Sequence, residues 1–421
     1  MANQGEQISS IQSTQLDLPP SCLEFCPIHP SYFLVGTYNL QKDDAPAGEH
    51  ELDEEEEQKA ATRLQSRNGS ILVFNLIEDR FSQIQTEEQP SAILDLRFNP
   101  NAGKQDVCAA VSSTSTLALF KLDPALERPL QAIRTMDMTT MSNGALTADP
   151  GTEVLFLAFA WHPSKADMVA ITTSTGHVYV VDLGGFDGEW EMHPEPAITH
   201  SLEAWCVTIA PCLDPEVPSH ENAFILHSGG DDSTLRSQTC VVEQESASSP
   251  TRYTIDRSLP PSKMRGHAAG VTAILPLPLT LGNDNLLVTG SYDDNIRLFS
   301  ISSASPYMPL KSQNLAESNL GGGVWRIKLI DLDEKGTGSG GHEYQWRARI
   351  LVSCMHAGAR VVELLHTFEG EYAFRTLGRF EEHQSMNYGS DYQPGSVERK
   401  KLSVVSTSFY DKLMCLWELE L

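Results

Sequence analysis

The chain lacks the features that mark most nucleic-acid-binding, membrane-spanning and secreted proteins. Its 421 residues contain 30 Lys and Arg against 56 Asp and Glu, a formal net charge of −26. Phosphate binding needs clustered Lys and Arg, so this balance argues against a nucleic acid and against an anionic membrane surface. No apolar run approaches the ~20 residues that cross a bilayer. The N-terminal MANQGEQISS has neither a basic nor an apolar region, so it does not resemble a secretory signal.

Cysteine pairs of the CxxC type are also absent. The eight cysteines are scattered along the chain, which is typical of reduced thiols in a reducing compartment. Cys22, Cys26 and His29 are close in sequence but have no fourth metal ligand beside them, and the two cysteines lie in an apolar run, so we interpret them as core residues. We therefore expect a cytoplasmic, monomeric protein that uses no metal and no cofactor.

One sequence frame recurs seven times along the chain. Its clearest copy is GSYDDNIRLF, residues 290–299, where a polar turn precedes an alternating strand, and SFYDKLMCLW, residues 408–417, repeats it. Successive copies are separated by about 46 to 63 residues. The equivalent apolar positions of the seven copies are Ile71, Leu117, Val178, Leu235, Ile296, Ala359 and Met414.

Each copy is typical of short antiparallel strands joined by turns rich in Gly, Asn, Asp and Ser. One such sheet cannot bury both of its faces, but seven stacked radially can, and the ring leaves no long exposed edge. The repeat therefore predicts an all-β protein, a seven-bladed WD-repeat β-propeller with long surface loops, over residues 16–421. We expect residues 1–15 to be a disordered tail and the acidic segment 41–68 a disordered loop. The adjoining TQLDL, residues 14–18, is predicted to supply the outer strand of the last blade.

Two recurring polar positions have a structural explanation. Histidines enter the first strand of three blades, and aspartates occupy the tight turn before the third strand of the same blades. In WD repeats these positions hydrogen-bond each other and satisfy buried polar groups. The residues are His200, His267, His383, Asp232, Asp293 and Asp411.

Other residues depart from the repeat pattern. Trp205, Trp325 and Tyr388 fall at one equivalent position of the first strand in blades 4, 6 and 7. Equivalent positions of a propeller lie at the same height, so we expect these rings at one end of the central channel. They either pack between blades or bind a cation through their faces. His356 stands where other copies carry the turn aspartate, and it is either a structural substitute or a general base.

Several segments, in this order, make the chain similar to a known family. With LDLPPSCLEFCP near the start, they resemble the diphthine methylesterase family of eukaryotes, which are WD-repeat proteins of diphthamide biosynthesis. The resemblance extends from about residue 16 to about residue 418. The segments are GTYNL, AILDLRF, HSLEAWCV, SGGDDSTLR, HAAGVTAI, VTGSYDDNIR, GGGVWRIK, CMHAGARV, HQSMNYGSDY and STSFYDKLMCLW.

The resemblance implies an ester hydrolase. The family removes the methyl ester from methylated diphthine, a modified histidine on translation elongation factor 2, which is therefore the implied protein partner. Diphthine carries a quaternary ammonium, and the rings of Trp205, Trp325 and Tyr388 would bind it. The fold itself implies no chemistry, so the other function class is a non-catalytic scaffold that binds protein partners.

The residues that would carry out the hydrolysis remain open at this stage. One route uses a water activated by His356, with Asp391 orienting the base or the cation. The other uses Cys354 or Ser385 as the nucleophile. Arg326 is a candidate donor to the oxyanion in either route. The chain has no GxSxG segment, so a lipase-like nucleophile elbow is not indicated.

Overall fold

Almost every described element is a β-strand, formed by a short apolar run or by alternating apolar and polar residues between turns. The computed structural model describes residues 5–40, 67–139, 146, 153–212, 223–244, 253–256, 262–282, 284–302, 309–337 and 343–421. Strands β1 (Glu6–Ile8) and β2 (Ser10–Gln15) come first, followed by seven blades in chain order. One short 3-10 helix, Val397–Arg399, lies in the last blade.

The first four blades each contain three main strands and a divided or continuous outer strand. Blade 1 comprises β3 (Pro20–Phe25), β4 (Tyr32–Thr37), β5 (Asn39–Leu40), β6 (Arg67–Ile77) and β7 (Arg80–Gln89). Blade 2 comprises β8 (Ile93–Phe98), β9 (Val107–Ser112), β10 (Thr116–Leu122) and β11 (Leu130–Asp137). Blade 3 comprises β12 (Phe156–Trp161), β13 (Met168–Thr173), β14 (His177–Asp182), β15 (Glu191–Met192) and β16 (Ile198–Thr199). Blade 4 comprises β17 (Ala204–Pro211), β18 (Ala223–Gly230), β19 (Leu235–Gln244), β20 (Tyr253–Asp256) and β21 (Ser262–Met264).

In the last three blades no strand is divided. Blade 5 comprises β22 (Val271–Leu281), β23 (Asp284–Ser291), β24 (Asn295–Ser302) and β25 (Lys311–Asn319). Blade 6 comprises β26 (Arg326–Thr337), β27 (Glu343–Ser353), β28 (Ala359–Thr367) and β29 (Tyr372–Phe380). Blade 7 comprises β30 (Asn387–Tyr392), β31 (Lys401–Ser408) and β32 (Leu413–Glu420).

The inner strands close into a ring. Strands β3, β8, β12, β17, β22, β26 and β30 contact one another in this order, and β30 contacts β3 again. The main hydrophobic clusters lie between neighbouring blades, for example one shared by blades 1 and 2 and one shared by blades 5 and 6. Each of the seven repeat positions, from Ile71 to Met414, lies in the third strand of its blade and is fully or almost fully buried. The predicted seven-bladed propeller is therefore confirmed.

The expectation of a disordered tail at residues 1–15 is wrong for the part that the structure describes. Strand β2 pairs antiparallel with β32 and completes blade 7, and β1 pairs parallel with β29 at the edge of blade 6. Gln12 also exchanges two hydrogen bonds with the backbone of Phe81 in blade 1, at 2.9 and 3.0 Å. An outer strand is bound mainly through its backbone, so a polar sequence such as SIQSTQ serves without an apolar pattern.

The predicted outer strand of the last blade also begins earlier than TQLDL. It ends at Gln15, and Leu16 then continues with one hydrogen bond from its N–H to the Lys412 carbonyl at 2.9 Å. The acidic segment 41–68 lies mostly outside the described residues, and its last two residues, Arg67 and Asn68, begin β6. Within the described ranges, no helix is long and apolar enough to cross a membrane.

Buried or partly buried histidines hold the loops that enter blades 4, 5 and 7 by side-chain hydrogen bonds. In blade 4 the predicted pair forms: His200 Nδ1 lies 2.9 Å from Asp232, and its Nε2 lies 3.1 Å from Ser228. In blade 7, by contrast, His383 contacts Ser406 at 2.8 Å, and its Nδ1 has no partner among the described residues. The expected histidine–aspartate bond is thus present in blade 4, whereas in blades 5 and 7 the aspartate accepts a backbone N–H instead.

We expect the N-terminal strand to stabilise the ring. Deleting residues 1–15 removes β2 and leaves the edge of β32 unpaired, so the chain should melt at least about 5 °C lower and associate through the open edge. Thermal unfolding and gel filtration measure the two effects. A chain that lacks only residues 1–9 is the control, because it loses β1 but keeps all of β2. Equal melting temperatures for the full chain and the chain lacking residues 1–15 would contradict this role.

The partly buried His267 predicts a loss of stability in mild acid. Burial lowers the pKa of His267 from its ordinary 6.5 to about 4, and its Nε2 lies 2.9 Å from Thr289 Oγ1. Because the unfolded state takes up the proton first, the stability from neutral His267 is complete above pH 6.5 and falls as the pH drops toward 4. We expect about 2 kcal/mol of this loss by pH 5. Replacing His267→Gln should flatten the slope of unfolding free energy between pH 7 and 5, and an unchanged slope would rule this origin out.

Candidate active site

A register shift near the start of the inner strands sets one residue apart in most blades, and Leu94, Leu157 and Trp205 among these residues line the central channel. In six blades the pairing of the first two strands skips one residue: Ser21, Leu94, Leu157, Trp205, Thr272 and Tyr388. In blade 6 the matching residue is Trp325, which directly precedes β26. The N–H of Trp325 donates to the Ser353 carbonyl at 2.8 Å. Bulges of this kind redirect a side chain without ending the strand. The three predicted aromatic residues therefore share one level of the ring.

Four aromatic rings meet at this end of the channel, and we call them the aromatic mouth: Trp205, Tyr292, Trp325 and Tyr388. The ring centroid of Trp325 lies 5.7 Å from that of Trp205, 6.0 Å from Tyr292 and 4.9 Å from Tyr388. All four side chains are partly exposed, so the mouth is open and is not sealed core packing. Sequence reasoning missed Tyr292, which comes from the turn between the second and third strands of blade 5.

Two carboxylates lie beside the aromatic mouth. The Trp205 Nε1–H donates to Asp231 Oδ1 at 3.1 Å, and the Asp231 N–H donates to the Glu203 carbonyl at 2.8 Å. Burial raises the pKa of the Tyr292 phenol, and the nearby Tyr388, Asp231 and Glu203 raise it further. The phenol is therefore neutral, and the negative charge at the mouth belongs to the two carboxylates. Aromatic faces with adjacent acids form an environment that attracts a cation.

Below the mouth, Arg326 crosses the channel. Its Nη1 donates to Asp95 Oδ1 in blade 2 at 2.8 Å, and its Nε donates to the Tyr388 carbonyl at 3.0 Å. Arg97 reaches the other oxygen of the same carboxylate, with 3.0 Å between Nε and Oδ2. Burial alone would raise the pKa of Asp95, but the charges of Arg326 and then Arg97 outweigh it, so this pKa is lowered. The carboxylate is therefore ionised between two guanidinium groups.

Deeper in the channel, Lys328 lies between two acids. Its Nζ is 2.6 Å from Asp391 Oδ2 and 3.5 Å from Glu24 Oε1. Asp391 also accepts the N–H of Phe25 at 2.8 Å. Burial alone would lower the pKa of Lys328, but Asp391 and Glu24 outweigh it, so the pKa is raised and the ammonium stays charged. Asp391 is thus held by blades 6 and 1, and no hydrogen bond joins it to His356 in the described part of the chain.

These charged residues lie around one cavity of about 270 Å³ in the centre of the ring, which Trp205, Trp325, Arg326, Lys328 and Asp391 all line. Sequence reasoning singled out four of these five, but it missed Lys328 and its partner Glu24, and also the Asp95–Arg97 pair. A signal existed, since Asp95 and Arg97 lie in AILDLRF and Glu24 lies in LEFCP, two segments that carry the family resemblance. Only the closed ring brings these segments to the same channel.

The predicted base, His356, and one of the two predicted nucleophiles, Ser385, lie in turns at the rim of the same end. His356 is exposed in the turn between β27 and β28, and the neighbouring Met355 carbonyl accepts the Asn387 N–H at 3.0 Å, one residue from Tyr388. Ser385 is occupied, because its hydroxyl donates to Asp411 Oδ1 at 2.6 Å and accepts the Tyr410 N–H at 3.0 Å. His356 is thus accessible near the mouth, whereas Ser385 fastens a turn.

The cysteines belong to the core. Cys354 is fully buried, and burial raises the pKa of its thiol to about 12. This environment disfavours the thiolate that a nucleophile needs. Cys22 and Cys26 are also buried, with the pKa of their thiols raised by burial to about 12 and about 11. Among the described residues, no group of three or more His, Cys, Asp or Glu side chains is placed to hold a metal ion.

Solved structures with the same fold confirm the propeller architecture. One is a chain of the mitotic checkpoint complex and the other is Sqt1 of Chaetomium thermophilum, solved bound to the N-terminus of ribosomal protein L10. Each aligns with a TM-score of 0.54 at 12% sequence identity over 98% of this chain, covering 92% and 100% of the respective protein. At this identity the likeness shows the fold alone. No protein-family model matches the chain.

Curated proteins from several eukaryotes match the chain from end to end. The diphthine methyltransferase of Schizosaccharomyces pombe is 25% identical over 96% of this chain and 95% of its own length. The diphthine methyltransferase homolog of Dictyostelium discoideum is 24% identical, over 96% of this chain and 97% of its own length. The Saccharomyces cerevisiae diphthine methyltransferase is also 24% identical, over 97% of both chains. The resemblance indicated by the sequence motifs is therefore confirmed, and the chain is a homologue of the eukaryotic proteins named diphthine methyltransferase.

Proposed function

We propose that this protein hydrolyses the methyl ester of methylated diphthine on translation elongation factor 2. Its homologues are named diphthine methyltransferase. This name refers to diphthine and to a methyl group, and so it supports a role in diphthamide biosynthesis. The observation that carries the proposal is the aromatic mouth with Asp231 beside it, because a quaternary ammonium is the kind of group that such a site binds. The propeller then presents this mouth to a protein substrate, with the modified side chain entering the channel.

The quaternary ammonium of the substrate would lie among Trp205, Tyr292, Trp325 and Tyr388. A methylated ammonium has no N–H to donate, so aromatic faces bind it better than a hydrogen-bonding site does. Each ring contributes about 0.5–2 kcal/mol, depending on how far the cation is removed from water. Asp231 adds a full negative charge at the edge of the Trp205 indole. The strongly acidic chain adds attraction at longer range.

The ester would reach below the mouth, toward Arg326. The oxygen of a water molecule adds to the ester carbonyl carbon, and the bond from that carbon to the methoxy oxygen then breaks. The methoxy group leaves as methanol with one proton of the water, while the new acid releases the other proton and becomes a carboxylate. The ester carbonyl oxygen gains negative charge when the water adds, and Arg326 would donate a hydrogen bond to this oxygen.

His356 is the base that the arrangement favours. Its imidazole is exposed at the rim, and histidine is the side chain that enzymes use most often as a general base. Cys354 is buried as a thiol, and Ser385 is held by Asp411, so a covalent route has less support than a water activated at the rim. Asp391 would act through the deeper Lys328 and would not contact the base.

Turnover with the modified protein tests the proposal. Purified elongation factor that carries methylated diphthine should release methanol when the chain is added, whereas a scaffold would bind it and release none. Replacing Trp325→Ala removes the central ring of the mouth, so we expect KM to rise about tenfold and kcat to fall as well, since a loosely held ester is rarely in position for attack.

Trp325→Phe is the matched control for the mouth, because it keeps an aromatic face and should recover most of the loss. Gas chromatography of methanol gives the rate, and circular dichroism checks that each variant is folded. Normal KM and kcat in folded Trp325→Ala would remove the aromatic mouth from the mechanism, even if methanol is released.

Replacing His356→Ala should lower kcat by about 100-fold with little change in KM, because the residue would act on the water and not on the bound cation. Its side chain is exposed in a turn, so the melting temperature should stay the same. His356→Gln is the companion variant, which keeps polarity and removes the base. If both folded variants retain turnover within about twofold of the parent, the base lies elsewhere.

A further inference from the structure

Three further aromatic rings continue outward from the aromatic mouth, and we call them the outer track: Phe409, Tyr410 and Tyr38. The ring centroid of Phe409 lies 5.6 Å from that of Tyr388 in the mouth, 5.1 Å from Tyr410 and 5.9 Å from Tyr38. Phe409 and Tyr410 lie in the turn between β31 and β32 of blade 7, and Tyr38 directly follows β4 of blade 1. The outer track therefore crosses from the last blade to the first.

The fold does not require aromatic residues in this turn. At the positions that Phe409 and Tyr410 occupy in the repeat, blade 2 has two serines at 112–113 and blade 3 has a threonine and a serine at 173–174. Phe409 is partly exposed and Tyr410 is 68% exposed, so neither ring fills the core of a blade. A contiguous patch of exposed rings is typical of an interaction surface.

The outer track is too far out to contact a quaternary ammonium bound in the mouth. Trp325, the central ring of the mouth, contacts Tyr388 at 4.9 Å, and Phe409 lies one ring beyond Tyr388. An extended polypeptide advances about 3.3 Å per residue, and side chains on the same side of it are roughly 7 Å apart. The step of 5.6 Å from Tyr388 to Phe409 thus matches one or two residues of polypeptide.

The charged groups of the blade 7 turn are engaged within the protein. Asp411 accepts the Ser385 hydroxyl at 2.6 Å, and Lys412 Nζ donates to the Asp17 carbonyl at 2.8 Å. The turn therefore presents mainly aromatic surface to a ligand. Such rings bury a large apolar area at a small cost in conformational entropy, so an apolar side chain is the group that fits them.

We propose that the outer track binds an apolar side chain of the substrate polypeptide, within two residues of the modified residue. The inference rests on the proposed function and names the part of the protein substrate that is recognised beside the modified side chain. The rings are held in place before the substrate binds, since the Phe409 N–H donates to the Met386 carbonyl at 2.9 Å and the Tyr38 N–H to the Pro19 carbonyl at 2.8 Å.

Replacing Tyr410→Ser tests the outer track, because the side chain is exposed and its loss should leave the melting temperature unchanged. Elongation factor that carries diphthine is the first ligand, since it has the quaternary ammonium and no ester to turn over. We expect its Kd to rise about fivefold in the variant. Tetramethylammonium is small enough to occupy the mouth alone, so its Kd should not change. Fluorescence of Trp205 and Trp325 measures this second affinity.

Two further variants are controls. Tyr410→Phe keeps the ring and should bind the modified elongation factor like the parent chain. Phe368→Ser is the matched control, because Phe368 is an aromatic residue that is 52% exposed in the turn between β28 and β29, at the other end of the propeller. It should also bind both ligands like the parent chain.

A short peptide that contains diphthine, released from elongation factor by a protease, locates the contact along the substrate. Tyr410→Ser should weaken binding of this peptide by the same factor as binding of the whole elongation factor, because the outer track contacts residues next to the modified one. A loss that appears with the whole factor and not with the peptide would place the contact elsewhere on the partner and overturn the proposal.

The remaining outcomes separate the outer track from the proposed function. An unchanged affinity for modified elongation factor in Tyr410→Ser overturns the outer track and leaves the mouth intact. An equal loss of tetramethylammonium binding also overturns it, since Tyr410 would then only support the mouth. Self-association of the parent chain that Tyr410→Ser abolishes would assign the rings to a second copy instead. Absence of methanol release, measured separately, counts against ester hydrolysis and not against this contact.

Discussion

Apolar side chains of neighbouring blades interdigitate around the whole ring, and the position of every channel residue depends on this contact. A blade buries one face against the blade before it and the other against the blade after it, as the clusters shared by blades 1 and 2 and by blades 5 and 6 illustrate. The ring is held closed where β2 from the N-terminal segment pairs with β32 from the C-terminal segment. Protein interiors are closely packed, so this contact fixes the positions of the inner strands relative to one another. The side chains that these strands carry into the channel are therefore also fixed in position.

The bulge at the start of the inner strands converts this closed ring into a site. An ordinary strand would direct alternate side chains into the blade interfaces, but the extra residue turns Trp205 and Tyr388 toward the axis. The same device places Leu94 and Leu157 on the opposite side of the channel. This end of the channel is therefore lined by the aromatic mouth on the side of blades 4, 6 and 7 and by the two leucines on the side of blades 2 and 3.

Charged side chains of opposite sign compensate one another inside the channel. Asp95 lies between Arg326 and Arg97, and Lys328 lies between Asp391 and Glu24. A single buried charge would be expensive to desolvate, but Arg326, Arg97 and Lys328 each have a carboxylate of opposite charge within 3.0 Å. This pairing lowers the desolvation cost, so a narrow channel can contain several ionised side chains while the protein stays folded.

The sequence by itself determined the architecture and part of the mouth. The seven repeat positions depend on local alternation and turn residues, and the equivalence of Trp205, Trp325 and Tyr388 follows from the repeat because a propeller places equivalent residues at equal heights. The tertiary structure alone decided the rest. The strands at residues 6–15 have no apolar pattern because they are bound through their backbone at a blade edge. Asp95 and Arg326 are 231 residues apart in the sequence, and they form an ion pair only because the ring closes. No local sequence pattern encodes which charged residues meet inside the channel.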